Sequence, residues 1–145
     1  MPATFITLSV GLLDRSTDRL TLCSAGSMPM LLRRAEGRIE RIGEDIAGIP
    51  LGILAKSKYE QIEVELRPGD VVFAYSDGVT DSYNPRHGTF GGSRLVRLLS
   101  ELTGGPEVIG QAIQEDIYNF MADRTQADDI TLICFGPHAE QLQPK

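Results

Sequence analysis

Two acidic clusters in this 145-residue chain have the residue types and spacing for metal chemistry. The first is Asp77, in the run Tyr75-Ser76-Asp77-Gly78-Val79-Thr80-Asp81. It follows directly on the apolar residues 71–75. Asp77 stands where that run stops and the chain must turn, and Gly78 permits the turn. The second is the pair Asp128-Asp129, within Gln126-Ala127-Asp128-Asp129-Ile130-Thr131 and just before another apolar run. Hard divalent cations such as Mg²⁺ and Mn²⁺ take oxygen ligands, usually one or two carboxylates with waters. Two neighbouring strand ends that each supply an Asp would make such a site. Spacing alone leaves other readings open. Asp-Gly is a common turn pair, and adjacent acids before a strand also serve as a cap or a solvated loop.

The elements that must position these acids follow from periodicity. Residues 5–13 read as a mostly buried strand. Asp14-Arg15-Ser16-Thr17-Asp18 is a turn rich in groups that bond their own backbone. Residues 19–24 alternate polar and apolar, as a half-buried strand does, and complete a hairpin. Residues 30–34 and 38–42 form a second hairpin around Glu36-Gly37. Residues 43–58 read as a loop. Ile62, Val64 and Leu66 alternate with Glu63, Glu65 and Arg67, which predicts another half-buried strand. Pro68-Gly69-Asp70 is a turn, and residues 71–75 are apolar enough for a central strand. Residues 76–92 read as a loop. Leu95, Leu98, Leu99 and Leu102 mark one face of a helix. Gly104-Gly105 ends it, and Pro106 opens a second helix with the stripe Ile109, Ala112, Ile113, Ile117 and Phe120. Residues 129–135 are a last strand, and residues 137–145 read as a flexible tail. Strands, then two helices, then a strand make an α+β fold, with no internal repeats.

Composition removes several function classes. Hydrophobic residues are 41% and charged residues 23%, which suits one ordinary globular domain and not disorder. Trp is absent and aromatics are 6%, so no stacking platform for single-stranded nucleic acid is expected. Residues 1–60 hold 8 Lys and Arg against 7 acids, whereas residues 61–145 hold 6 against 13. That acidic second half argues against a nucleic-acid footprint and permits a cation site. Cys23 and Cys134 lie in apolar runs without metal-ligand spacing, so they read as two buried thiols in a reducing compartment. The first residues lack the basic and apolar regions of a signal peptide. The longest nearly apolar stretch, residues 46–55, is too short to span a membrane. A soluble cytoplasmic protein is the expectation, with no membrane and no nucleic-acid partner.

Six stretches, in order, resemble one family. Thr4-Phe5-Ile6-Thr7-Leu8 with Gly11-Leu12-Leu13-Asp14 is similar to a "FVTLFYGVLD" strand. Ser24-Ala25-Gly26-Ser27-Met28-Pro29 resembles "NAGHPP", and Ile49-Pro50-Leu51-Gly52 resembles "LPLG". Pro68-Gly69-Asp70 through Asp81 resembles "PGDxLxLYTDGVTE". Phe90-Gly91 with Arg94-Leu95 resembles "FGxxRL", and Gln126 to Thr131 resembles "QxDDIT". Together they cover residues 4–136 and resemble the carboxyl-terminal two-thirds of the SpoIIE/RsbU-type serine phosphatase domain. That group belongs to the metal-dependent PPM (PP2C-like) phosphatases. The resemblance implies a PP2C-like antiparallel β-sandwich flanked by helices, with its amino-terminal part missing. Residues 1–136 would then be a partial domain.

Carried over position by position, the resemblance implies that Asp77 and Asp128 are catalytic metal ligands, with Gly78 and Asp129 supporting them. The implied cofactor is Mn²⁺ or Mg²⁺, in a two-metal site in the complete domain. The implied reaction is hydrolysis of phosphoserine or phosphothreonine by an in-line attacking water of lowered pKa, without a covalent intermediate. His87, in a polar loop, and His138, in the tail, read as surface residues. The implied substrate is a phosphorylated STAS-type anti-sigma-factor antagonist in bacterial signalling, with a sensor or receiver domain upstream. Two departures stand out. The family's upstream metal-bridging Asp, in a "GDVxGHG"-like segment, has no counterpart before Thr4, and Ser27 replaces a common His. The first weakens the two-metal centre and raises an alternative: a truncated, non-catalytic pseudophosphatase that serves as a protein-binding module. It also implies a bared sheet edge and apolar face, covered by a homodimer or leaving the chain poorly soluble.

Overall fold

The computed structural model describes residues 4–121 and 129–137. The tail predicted over residues 137–145 falls almost wholly outside them. The chain divides into two compact units, residues 1–30 with 41–66, and residues 31–40 with 67–145.

The first unit is built on a three-stranded antiparallel sheet in the order β1-β2-β5, with β1 Leu8–Asp14, β2 Arg19–Ala25 and β5 Gln61–Glu65. The β1–β2 hairpin closes where predicted. The Asp14 carboxylate accepts hydrogen bonds from the Ser16 amide (2.9 Å) and hydroxyl (2.6 Å). These bonds hold its carboxyl below the usual carboxylate range. On β2, Leu20 and Leu22 are buried while Arg19, Thr21 and Cys23 face the other side, as the alternation requires. β1 departs from expectation. It is an edge strand, and Leu8, Val10 and Leu12 are exposed at 44, 52 and 70%. Its apolar run resembles a buried strand in composition. Burial, however, depends on what lies beside the strand, and among the described residues β2 is its only sheet neighbour.

Loop 43–58 is held by its own backbone. The Gly48 amide donates to the Ser24 carbonyl at 3.0 Å, and Ile6 and Leu51 exchange two hydrogen bonds of 2.9 and 2.8 Å. Gly26 has φ 71° and lies against the Pro50 ring, so two of the motif stretches meet there.

The second unit holds the four-stranded sheet β4-β3-β6-β9, formed by β3 Met30–Arg33, β4 Ile39–Ile42, β6 Val71–Tyr75 and β9 Leu132–Phe135. β6 is internal, as its unbroken apolar run predicts, and pairs antiparallel with both β3 and β9. Helices α2 Gly92–Glu101 and α3 Pro106–Met121 supply Leu95, Leu99, Ile109, Ile113 and Ile117, all essentially inaccessible. These pack with Phe73, Val71 and Leu31 into one hydrophobic cluster. Gly110 lets α3 approach Cys134 of β9, because a Cβ there would sit 3.2 Å from the sulfur.

Polar side chains lock this unit. Asp70, 1% exposed, accepts from the amides of Ala35 (3.1 Å) and Arg67 (2.9 Å) and pairs with Arg34 at 2.8 Å. Arg34 also forks onto Glu40 at 2.9 and 3.1 Å. The Arg34 guanidinium holds the Glu40 carboxyl below its ordinary value, and Glu40 and Asp70 raise Arg34 in return. Buried Arg33 donates to the carbonyls of Leu99 (2.8 Å) and Leu102 (2.6 Å), which satisfies acceptors orphaned at the end of α2. Arg94 lies 5.0 and 4.7 Å from the Phe90 and Phe120 ring centroids and forks onto Asp116. The "FGxxRL"-like stretch is thereby explained as a packing joint.

Candidate active site

The end of β6 is tied to the segment before β9 by one serine. The Ser76 amide donates to the Thr131 carbonyl at 3.0 Å. Its hydroxyl accepts from the Thr131 amide at 3.1 Å and donates to the Asp129 carbonyl at 3.2 Å. Residues more than fifty apart in sequence are thus fixed side by side, within the second unit.

After Ser76 the chain does not turn loosely. It enters a short helix, α1 Asp77–Asp81, and a two-strand ribbon follows, β7 Tyr83–Asn84 with β8 Gly88–Thr89. This corrects the loop predicted over residues 76–92. Five residues are too few to show helical periodicity, and α1 owes its place to Val79, which is fully buried in the hydrophobic cluster. The buried Ser82 hydroxyl donates to the Gly78 carbonyl at 2.8 Å and completes the turn. Gly78 is also corrected. It is helical and not among the residues of positive φ, so it does not serve an irregular turn. A Cβ at Gly78 would collide with the Asp129 carbonyl oxygen. Only glycine allows α1 and the residue-129 segment to meet this closely.

Asp77 therefore sits at the first position of α1 with its side chain exposed. Thr80 donates its hydroxyl to the Asp77 backbone carbonyl at 3.0 Å. Asp129 presents its backbone carbonyl to Ser76 and Gly78, and its side chain is exposed. Asp128, the second predicted ligand, lies outside the described residues. Among the described residues no group of three His, Cys, Asp or Glu is placed to hold a metal ion. Asp77 and Asp129 each bear an exposed carboxylate, a hard oxygen donor of the kind that suits Mg²⁺ or Mn²⁺ better than a soft ion.

Other reactive side chains stand elsewhere. His87 is exposed, its ring centroid 6.4 Å from that of Phe120; His138 lies outside the described residues. Both cysteines are free and half-buried, where fuller burial was expected. Burial pushes the Cys134 thiol up to about 11, which keeps it protonated and inert near neutrality. Sequence reasoning missed Arg33 and Asp70 as organisers of this unit. The Asp in Pro68-Gly69-Asp70 was legible only as a turn residue.

No described helix is long and apolar enough to cross a membrane. Comparison with known proteins agrees with the geometry. The family model for Stage II sporulation protein E, SpoIIE, matches residues 2–138. Protein IcfG of Synechocystis is 30% identical over 131 residues, which is 90% of this chain and 20% of IcfG. The SiaA-PP2C domain of Pseudomonas aeruginosa superposes with a TM-score of 0.75 at 23% identity, over 90% of this chain and 51% of that one. The Mn-presoaked phosphatase domain of the cell fate determinant SpoIIE from Bacillus subtilis gives 0.70 at 20% identity, over 93% and 57%. The chain spans about a fifth of the curated relative and about half of each solved domain. With antiparallel sheets and helices in the PP2C arrangement and a family match running through both acidic clusters, this chain belongs to the SpoIIE family.

Proposed function

We propose that this chain forms the metal-binding and core part of a protein serine/threonine phosphatase, with Asp77 and Asp128 as metal ligands. The observation that carries the reading is the Ser76 tie. It ties the end of β6 to the backbone of residues 129 and 131, which supports a site drawn from the acids that flank both segments. A Mn²⁺ or Mg²⁺ ion bound there would supply a water of lowered pKa and neutralise phosphate charge. Asp77 offers its carboxylate from a helix anchored by Val79, so its position is set by the core. Gly78 keeps the two segments in register by leaving room for the Asp129 carbonyl. Asp129 supports through its backbone. The substrate class is phosphoserine or phosphothreonine on a regulatory protein, of which a STAS-type anti-sigma-factor antagonist is the proposed example. Membership of the SpoIIE family supports this.

The test is hydrolysis of p-nitrophenyl phosphate with and without Mn²⁺, beside direct Mn²⁺ titration by calorimetry. The expected result is Mn²⁺-dependent turnover and Mn²⁺ binding, both lost in Asp77→Asn with the melting temperature kept. Binding without turnover in a folded sample would favour the non-catalytic binding module. Mn²⁺ binding unchanged in Asp77→Asn would refute the site.

A further inference from the structure

Ser76 stands at the N-cap of α1, with the extended backbone that this position takes (φ −86°, ψ 162°). The hydroxyl of an N-cap serine ordinarily accepts from an amide in the first turn of its own helix. Ser76 makes no such bond. The omission falls where a cap matters most, because five residues are too few for a helix to stand without outside support. The hydroxyl is turned instead across the sheet. The paired register of β6 and β9 ends at Tyr75 with Leu132. Beyond it the hydroxyl accepts from the Thr131 amide at 3.1 Å and donates to the Asp129 carbonyl at 3.2 Å. A residue type suited to a local role thus serves a distant one. Such breaks of a local rule gather at functional sites.

We propose that Ser76 is a positioning residue for metal binding, whose hydroxyl holds the backbone of residues 129–131 against the Asp77 end of β6 before an ion arrives. The inference rests on the reading of Asp77 and Asp128 as metal ligands. Ser76 need not touch the ion, since it acts through the backbone that it bonds. Without the hydroxyl, the ion itself would have to fix the two segments together, and that ordering subtracts from its affinity. The task needs a small group that donates and accepts at once. Serine and threonine hydroxyls do so, whereas alanine and valine do neither. Threonine suits the position, because extended backbone accommodates a β-branched side chain. Valine has nearly the shape of threonine without its hydroxyl, so the pair separates hydrogen bonding from packing.

Calorimetric titration with Mn²⁺, beside amide hydrogen exchange of the metal-free chain followed by nuclear magnetic resonance, tests it. Ser76→Ala and Ser76→Val should each weaken Mn²⁺ binding about 10-fold, the worth of one or two net hydrogen bonds. Exchange at the Thr131 amide should quicken by a similar factor, while the circular dichroism spectrum matches wild type. Ser76→Thr should keep both the affinity and the slow exchange. Mn²⁺ affinity unchanged in Ser76→Ala and Ser76→Val would overturn the inference and leave the metal site standing. Equal losses in Ser76→Thr and Ser76→Val would also overturn it, because packing would then be the cause. Absence of Mn²⁺ binding in folded wild-type chain would overturn the metal-site reading and this inference with it.

Discussion

The two larger sheets among the described residues are both built from antiparallel strands, yet they dispose of their apolar residues differently. In the second unit the strands share a core with α2 and α3. Its side chains, from Phe73 to Leu99 and Ile113, are essentially inaccessible. Asp70 and Arg33 there satisfy buried backbone groups from several segments at once. Among the described residues of the first unit there is no helix, and β1 leaves Leu8, Val10 and Leu12 in the open. Its joints are made by loop backbone, such as Ile6 with Leu51 and Gly48 with Ser24. The candidate site sits on the unit that is locked from within. A metal ligand must be held to a fraction of an ångström, and a packed, hydrogen-bonded base does that better than an open sheet.

Substitutions in the two units should separate this contrast, beginning with the largest effect. Asp70→Ala removes the acceptor of two amides and a buried carboxylate paired with Arg34, itself 13% exposed. It should cost about 3–5 kcal/mol in chemical denaturation. Leu99→Ala opens a cavity in the shared core and should cost about 2–5 kcal/mol. A loss below 1 kcal/mol in either would break the picture of a locked second unit. Gly78→Ala drives a methyl group into the Asp129 carbonyl and should cost about 1–3 kcal/mol. Calorimetric Mn²⁺ affinity should fall with it, since the two acidic segments must part.

Glu40 gives a smaller, pH-dependent effect. Its folded carboxyl lies below the ordinary value of 4.5, held down by hydrogen bonds from Arg34. Its contribution is therefore complete above that value and is lost as pH falls through the lower, folded one. Glu40→Gln should flatten the acid limb of the stability profile below pH 4.5 and leave the rest parallel. Smallest of all, Leu12→Ala should change stability by no more than about 0.5 kcal/mol, because Leu12 is 70% exposed. The same Leu→Ala change would then differ severalfold between the units, on burial alone. A large loss at Leu12 would mean that the β1 ladder is covered within the monomer.

Periodicity was sufficient to place both hairpins, the central strand β6, the paired helices and the final strand. Each of these repeats its pattern over several residues, and local spacing encodes it. The Pro106 start of α3 and the Gly104-Gly105 break before it were equally legible. Asp77 was legible as a candidate ligand at a strand end, and Asp128 as part of an acidic pair. What surrounds Asp77 was not. A five-residue helix fixed by one buried valine leaves no periodic trace, and the need for glycine at position 78 arises from a backbone fifty residues away.

Arg33 and Arg34 illustrate the same division. They are adjacent in the chain and identical in type, yet one caps α2 and the other pairs with Asp70 and Glu40. The sequence by itself determined the longer strands and helices, because alternation and 3.6-residue spacing are local properties. Tertiary structure alone decided which apolar strand is covered, which acid is structural, and which glycine is a contact. Burial and close approach depend on neighbours that the linear order does not name.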